Sequence, residues 1–177
     1  MTDLEERCLE AFPNWLDSLG RDTPVLLRSA QVSARERDSR LVLATALNYL
    51  LKSVDLIPDG IEDLGFLDAA FACRVAASIA LTKTALADGP LSQLANDATL
   101  IEEFLGDDFG RLSAYVLGLG EASVRGRTSA ELLDDPTRFS ELADELEAWS
   151  ESYASPHFSR DEMNLVKLRS FFKARLR

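Results

Sequence analysis

Apolar residues recur every three or four positions along most of this chain, which is the spacing that places them on one face of an α-helix. The first such face has one residue per turn: Leu4, Cys8, Phe12, Trp15 and Leu19. The residues from Thr2 to Glu5 have the spacing of a capping box, which predicts that a helix begins at the amino terminus. No run shows sustained alternation of period two, and there is no internal repeat. The sequence therefore predicts an all-α fold of seven to nine helices.

Capping residues and prolines predict where further helices begin. Pro13 is expected to kink or divide the first helix, and Thr23-Pro24 predicts a new helix start. Ser33 opens another capping box, although that helix could equally continue from the one before. Later starts are predicted at five places: Pro90, Asp107, Thr128, Pro136 and Ser159. Three glycines within residues 118–127 predict a mobile connection there.

The two segments on either side of Pro58 are apolar on almost every side. Between Leu41 and Leu51 only Thr45 and Asn48 interrupt the apolar pattern, and a helix of this kind must be covered on most sides. A second apolar helix is predicted from Asp63 or Gly65 to about Ala87, with small residues along one side that allow a neighbouring helix to approach closely. We therefore predict a buried helical hairpin at about residues 40–87, central to a single-domain multi-helix bundle that spans residues 1–177.

Composition and charge narrow the class of protein. The chain has 177 residues, 46% hydrophobic and 28% charged, which is typical of one soluble globular domain. Its net charge is −11, and it is uneven: residues 88–158 carry 4 basic and 15 acidic residues, and residues 159–177 carry 6 and 2. Such an acidic surface repels nucleic acid, so no nucleic-acid partner is expected. The amino terminus lacks signal-peptide features, and Cys8 and Cys73 form no C-x-x-C motif, which favours a cytoplasmic location.

One stretch resembles a known family. The run from Tyr49 to Asp59, YLLKSVDLIPD, followed by LGFLD at 64–68, is similar to the YkvA-like family, also called DUF1232. Its pattern is a hydrophobic helix, a D-L-I-P-D elbow, a G-[YFL]-L-D-D step and a second hydrophobic helix. The family usually has proline where Ser53 stands, and its second aspartate is Ala69 here. The resemblance covers about residues 40–80 and implies a helical hairpin module of bacterial proteins, some of them membrane-associated, without implying an activity.

The acidic elbow between the two apolar segments is a candidate site. Asp55, Asp59 and Asp68 offer carboxylate oxygens of the kind that Ca²⁺ and Mg²⁺ prefer, although the spacing departs from a calcium loop at two ligand positions. Alternatively, Asp55 and Asp59 accept hydrogen bonds from backbone N–H groups at the elbow, and Asp63 stabilises the start of the next helix. We favour the second interpretation and expect neither a metal nor a cofactor. Asp68, inside an apolar helix, requires a hydrogen-bonding or ionic partner.

The last helix is the second candidate site, because basic residues surround the apolar face that Leu165, Leu168, Phe172 and Leu176 form. Residues 160–177 could lie on an anionic membrane surface or dock a partner. Alternatively, the helix packs on its own domain with its charges near the acidic segment 134–151, which we favour. Phe171 is off the apolar face and predicts an exposed contact. The candidate interaction residues are Lys167, Arg169, Phe171, Phe172, Lys173 and Arg175.

No catalytic motif is found. There is no G-x-S-x-G or G-K-[ST], and the single histidine, His157, has no companion for a triad or a ligand cluster. We expect a non-catalytic bacterial protein that acts as a helical protein-interaction or regulatory module, with an unknown protein partner or through self-association. Two alternatives stay open: peripheral membrane association through the basic last helix, and a divalent-metal-dependent enzyme at the elbow.

Overall fold

The computed structural model describes residues 1–52, 56–86 and 88–176. Over those residues the chain is a bundle of eight α-helices, which confirms the predicted all-α fold. The helices are α1 (Asp3–Gln31), α2 (Arg37–Leu50), α3 (Leu67–Thr82), α4 (Gly89–Leu105), α5 (Asp108–Gly118), α6 (Ser129–Asp134), α7 (Pro136–Ser152) and α8 (Glu162–Arg175). A short 3₁₀ turn, Leu119–Glu121, follows α5. None of the described helices is both long and apolar enough to cross a membrane.

Helix α1 is continuous, so the predicted helix start at Thr23 is wrong. Its beginning is as predicted, because Thr2 and Glu5 form a capping box. The Thr23 hydroxyl donates to the Leu19 carbonyl at 3.1 Å, inside the helix, and Pro24 follows within the same helix. An interior proline costs roughly 3 kcal/mol relative to alanine. Burial of the α1 face on both sides of Pro24, which includes Leu19 and Leu26, offsets that cost.

Two other predicted helix starts are wrong as well. Helix α2 begins at Arg37 rather than at Ser33, because residues 33–35 form a turn that buries Arg35. There the Arg35 guanidinium donates through Nε to the Ser29 carbonyl at 3.2 Å and through Nη2 to Asp88 at 3.1 Å. Helix α8 begins at Glu162, where Asp161 rather than Ser159 accepts the capping hydrogen bond from an amide N–H.

Helices α2 and α3 form the predicted buried hairpin. Every residue from 42 to 49 on α2 and from 67 to 77 on α3 is buried. Helix α3 packs on α2 on one side and on α4 on the other, and α1 contacts all three. Helix α3 begins at Leu67, later than predicted, because Asp63 and Phe66 have left-handed backbones with φ of 65° and 66°. It ends at Thr82 instead of about Ala87, and Ala87 lies outside the described residues.

The polar positions of α2 are covered by the chain that leads into α6. The Thr45 hydroxyl lies 2.9 Å from the Ser129 hydroxyl, and the Asn48 amide donates to the Arg127 carbonyl at 3.2 Å. Arg125 and Gly126 both have positive φ, 51° and 77°, in a tight turn between the bridged residues 124 and 127. This turn and the 3₁₀ turn occupy the stretch 118–127, whose mobility stays a prediction.

A buried arginine joins three helices at the centre of the bundle. Arg74 on α3 is 2% exposed, and its guanidinium stacks over Trp15 with Cζ 4.6 Å from the ring centroid. Its Nε donates to Asp97 on α4 at 2.9 Å, and its Nη2 donates to Asp22 on α1 at 3.1 Å. Its Nη1 donates to the Ala70 carbonyl at 3.2 Å. Each nitrogen of this guanidinium therefore has a partner, which is the condition for burying a charge.

Candidate functional site

The elbow between α2 and α3 is a series of tight turns. The amide of Ile61 donates to the Pro58 carbonyl at 3.0 Å, and the Gly65 amide donates to the Ile61 carbonyl at 2.8 Å. Gly65 lies so close to the Asp59 carbonyl oxygen that a Cβ at this position would overlap it. The glycine of the L-G-F-L-D sequence is therefore needed for close backbone approach.

Because of that close approach, an added methyl group should affect stability at one glycine of the elbow and not at another. Gly65→Ala is expected to destabilise the fold by about 1–3 kcal/mol, because the backbone of residues 59–65 must move to admit the new methyl group. Gly60→Ala is the matched control, since a Cβ at Gly60 meets no atom within 4 Å. Chemical denaturation of both variants measures the effect. Equal free energies of unfolding for the two variants would contradict the conclusion that Gly65 is needed for close backbone approach.

Asp68 lies beneath the elbow and is fully buried. Its Oδ2 accepts hydrogen bonds from the Tyr49 hydroxyl at 2.6 Å and from the Ile57 amide at 3.3 Å. The Tyr49 oxygen in turn accepts a hydrogen bond from the Leu56 amide at 3.0 Å. One carboxylate and one phenol thus hold the backbone of residues 56–57 against the start of α3 and the end of α2, which gives Asp68 the partner that its sequence position required.

The electrostatics of this pair follow from burial. Burial raises the pKa of Asp68 to about 6, although the hydrogen bonds from Tyr49 and Ile57 oppose the rise. Burial, and next the nearby Asp68 carboxylate, raise the pKa of the Tyr49 hydroxyl. The Oδ1 atom of Asp68 is also buried and accepts no hydrogen bond. These groups are closed off from solvent, so the arrangement anchors the elbow and offers no surface for a substrate.

The residues proposed as metal ligands are not brought together by what the structure describes. Asp55 lies outside the described residues. Asp59 is exposed on the elbow, whereas Asp68 is buried beneath it with Oδ2 bonded to Tyr49 and Ile57. In residues 1–52, 56–86 and 88–176, no three His, Cys, Asp or Glu side chains are grouped so that they could hold a metal ion.

Asp63 differs from its predicted role at the start of the next helix. It lies in the elbow, four residues before α3 begins at Leu67, and its Oδ1 accepts a hydrogen bond from the Ser159 amide at 2.8 Å. That bond lowers the pKa of Asp63. The exposed His157 imidazole approaches the same oxygen at 4.0 Å. Asp63 therefore ties the elbow to the segment that leads into α8.

The predicted interaction helix, α8, packs on its own chain, as favoured. Phe172 is fully buried and stacks on Phe71, with ring centroids 5.2 Å apart. Phe171, expected to be exposed, is partly buried against the core. The Arg169 guanidinium donates to the Phe104 carbonyl at 3.0 Å and lies over the Phe104 ring. Of the candidate residues, Lys167, Lys173 and Arg175 have exposed side chains.

The expected location of the α8 charges near residues 134–151 is not what the structure shows. Helix α8 contacts α1 and α5. The Glu145 carboxylate of the acidic segment is instead paired with Arg125 and Arg127, at 2.8 and 2.9 Å. Because the apolar face of α8 is in the core, that face is not available to a membrane. Two apolar side chains of α8 are exposed, Met163 at 56% and Val166 at 50%.

The two cysteines are buried thiols of the core. Both thiols are free and buried. Burial raises the pKa of Cys8 to about 11 and that of Cys73 to about 12. A thiol with such a pKa is almost entirely protonated at neutral pH, and the thiolate is the nucleophilic form.

A groove between α1 and α7 is the feature that sequence reasoning missed. The two helices approach closely at Gly20, where a Cβ would lie 3.4 Å from the Tyr153 ring and where the Tyr153 hydroxyl donates to the Leu16 carbonyl at 2.7 Å. Beyond this point the helices leave an opening of about 410 Å³. Its lining is mostly apolar at the floor and acidic on one rim: Thr23, Pro24, Leu27, Ala143, Asp144, Leu146, Glu147, Ser150 and Glu151.

A second opening continues the groove along α7 toward its amino end. It measures about 280 Å³ and shares Ala143 with the first. Its other lining residues are Gln31, Arg40, Leu133, Pro136, Phe139 and Ser140. The α7 side of the combined groove thus extends from Pro136 to Glu151, which is about 22 Å at 1.5 Å per helical residue. We call this combined opening the α1/α7 groove. Its only sequence signal is the helical spacing of the apolar residues Phe139, Leu142, Leu146 and Trp149, and that spacing does not show which part of the face lacks a partner.

Comparison with known proteins adds no relative: no protein-family model, no curated protein and no solved structure matches this chain.

Proposed function

We propose that this chain is a non-catalytic protein-interaction or regulatory module that binds a helical segment of another protein in the α1/α7 groove. The observation that carries the proposal is the α1/α7 groove itself, whose first opening measures about 410 Å³ and has Pro24, Leu27, Ala143 and Leu146 in its lining. An amphipathic helix that lays its apolar face into such a groove is a common mode of peptide recognition.

The remaining polar sites support a binding role over a catalytic one. Asp68, Tyr49 and Arg74 are buried, and their hydrogen bonds hold the bundle together. The first opening of the α1/α7 groove, by contrast, has an apolar floor and exposed carboxylates on its α7 side. The basic helix α8 is not the proposed surface, because Leu165, Leu168 and Phe172 are used in the core.

A panel of designed helices tests this function. Three peptides of about sixteen residues, matched to the groove length, share one leucine face and carry lysine, glutamine or glutamate on the other face. We expect at least one of them to bind saturably in fluorescence anisotropy. Ala143→Phe should abolish that binding, because Ala143 lines both openings.

Two variants complete the design. Ser140→Phe fills the second opening from an exposed position, so we expect it to fold and to give a readout if Ala143→Phe unfolds the chain. Ala148→Phe makes the same change as Ala143→Phe at an exposed position of α7 outside the groove lining, and should bind like the wild type. The function is contradicted if no peptide binds, or if the groove and control variants behave alike.

A further inference from the structure

From the charge of its rim we infer that the α1/α7 groove selects a cationic amphipathic helix. This inference rests on the proposed function and specifies the chemistry of the partner. The rim consists of Asp144, Glu147 and Glu151, which are exposed and spaced three and four residues apart. That spacing places all three carboxylates along one edge of α7, within about 10 Å of helix.

The rim carboxylates are not neutralised within the chain. In the part of the chain that the structure describes, Asp144, Glu147 and Glu151 take part in no ion pair. Glu145, on another side of the same helix, is paired with both Arg125 and Arg127. Arg125 and Arg127 thus neutralise Glu145 and not the three rim carboxylates.

The residues of α1 that line the first opening are uncharged, and the exposed Arg21 and Arg28 of the same helix lie outside that lining. The lining residues of α1 are Thr23, Pro24 and Leu27. Like charges at three- and four-residue spacing on a helix repel one another, and a cationic partner relieves that repulsion when it binds. A negative rim beside an apolar floor also attracts and orients a cationic amphipathic helix before contact.

The charge is concentrated in one half of the groove. The second opening contains a basic residue, Arg40, whose Nε donates to the Ala30 carbonyl at 2.8 Å, and no acidic residue is in its lining. We therefore expect the basic side chains of the partner to lie over residues 144–151, and its apolar side chains to follow the floor toward Pro136.

The three peptides of the binding panel separate charge from helix binding. The lysine peptide should bind more tightly than the glutamine peptide, and the glutamate peptide should bind most weakly. Raising the ionic strength should reduce this difference, because the rim is exposed to solvent. Glu147→Lys should weaken the lysine peptide by about 3- to 10-fold and strengthen the glutamate peptide.

The matched control is Glu10→Lys, which makes the same charge change at an exposed position on the amino-terminal half of α1. It should leave the affinity of every peptide within about twofold, because that position is beyond the screening length from the rim. A general effect of net charge would instead change the peptide affinities of Glu147→Lys and Glu10→Lys equally, and that result would overturn the inference.

The outcomes distinguish the inference from the function. If the glutamine peptide binds as tightly as the lysine peptide, and Glu147→Lys leaves both affinities unchanged, the groove binds helices without charge selection. In that case only the inference fails. If no peptide binds, both fail. If the chain itself dimerises in sedimentation and Ala143→Phe makes it monomeric, the occupant is a second copy, and the cationic partner is overturned.

Discussion

Replacing Arg74 by methionine is expected to lower the free energy of unfolding by about 3–5 kcal/mol. Methionine fills much of the same volume, so the loss comes from charge rather than from a cavity. Without the guanidinium, Asp22 and Asp97 face each other across the site with their carboxylates partly buried and unpaired. Burial already raises the pKa of Asp97, and Arg74 opposes that rise.

Urea denaturation at neutral pH measures this effect, with Arg37→Met as the matched control. Arg37 pairs with Asp134 at the surface, where both side chains are more than half exposed, and such pairs contribute about 0–1 kcal/mol. The triple variant Arg74→Met, Asp22→Asn, Asp97→Asn removes the stranded charges and should recover part of the loss. If Arg74→Met is no more harmful than Arg37→Met, the buried network does not hold the three helices together.

The Arg74 network also shows what sequence reasoning could predict. The hydrophobic pattern predicted α2 and α3 as buried helices because a helix that is apolar on all sides needs cover whatever its neighbours are. It could not predict the partners of Arg74, because these come from α1 and α4, 52 and 23 residues away in sequence. Pairing between distant segments depends on how the helices cross.

Local sequence signals for helix starts were correct where no long-range packing opposed them and wrong where it did. The caps at Thr2 and Thr128 were confirmed because both residues of each capping box are close in sequence. Thr23-Pro24 has an equally good start signal, but burial of the α1 face before and after Pro24 outweighs that signal. The late start of α3 depends on the left-handed backbones of Asp63 and Phe66. Aspartate adopts that conformation more often than most residues, but phenylalanine rarely does, so the sequence does not predict the pair.

The candidate site was harder to predict than the fold. An acidic outer face on α7 follows from its sequence, yet the open floor beside it depends on α1 touching α7 at Gly20 and then diverging. The elbow carboxylates illustrate the opposite case. Their residue types suit a metal, but the backbone places Asp68 beneath the elbow, bonded to Tyr49, and places Asp59 on its outside.

Asp68 is expected to make stability depend on pH in the direction opposite to that of a paired surface carboxylate. Its pKa is about 6 in the folded chain against 3.8 for the free side chain, so the folded state binds its proton more tightly. The resulting stabilisation is fully present below about pH 4 and is lost as the pH rises through 6. A shift of this size corresponds to about 3 kcal/mol.

Asp68→Asn removes this titration while keeping an oxygen that accepts from Tyr49 and Ile57. Any pH-independent cost of the new amide cancels when the two proteins are compared at several pH values. The free energy of unfolding of the variant, minus that of the wild type, should therefore rise by about 2–2.5 kcal/mol between pH 4 and pH 7. Asp63→Asn should show the opposite sign, because the hydrogen bond from Ser159 lowers the pKa of Asp63. A flat difference for Asp68→Asn would mean that the buried carboxyl has an ordinary pKa, and that its oxygen is better satisfied than two hydrogen bonds suggest.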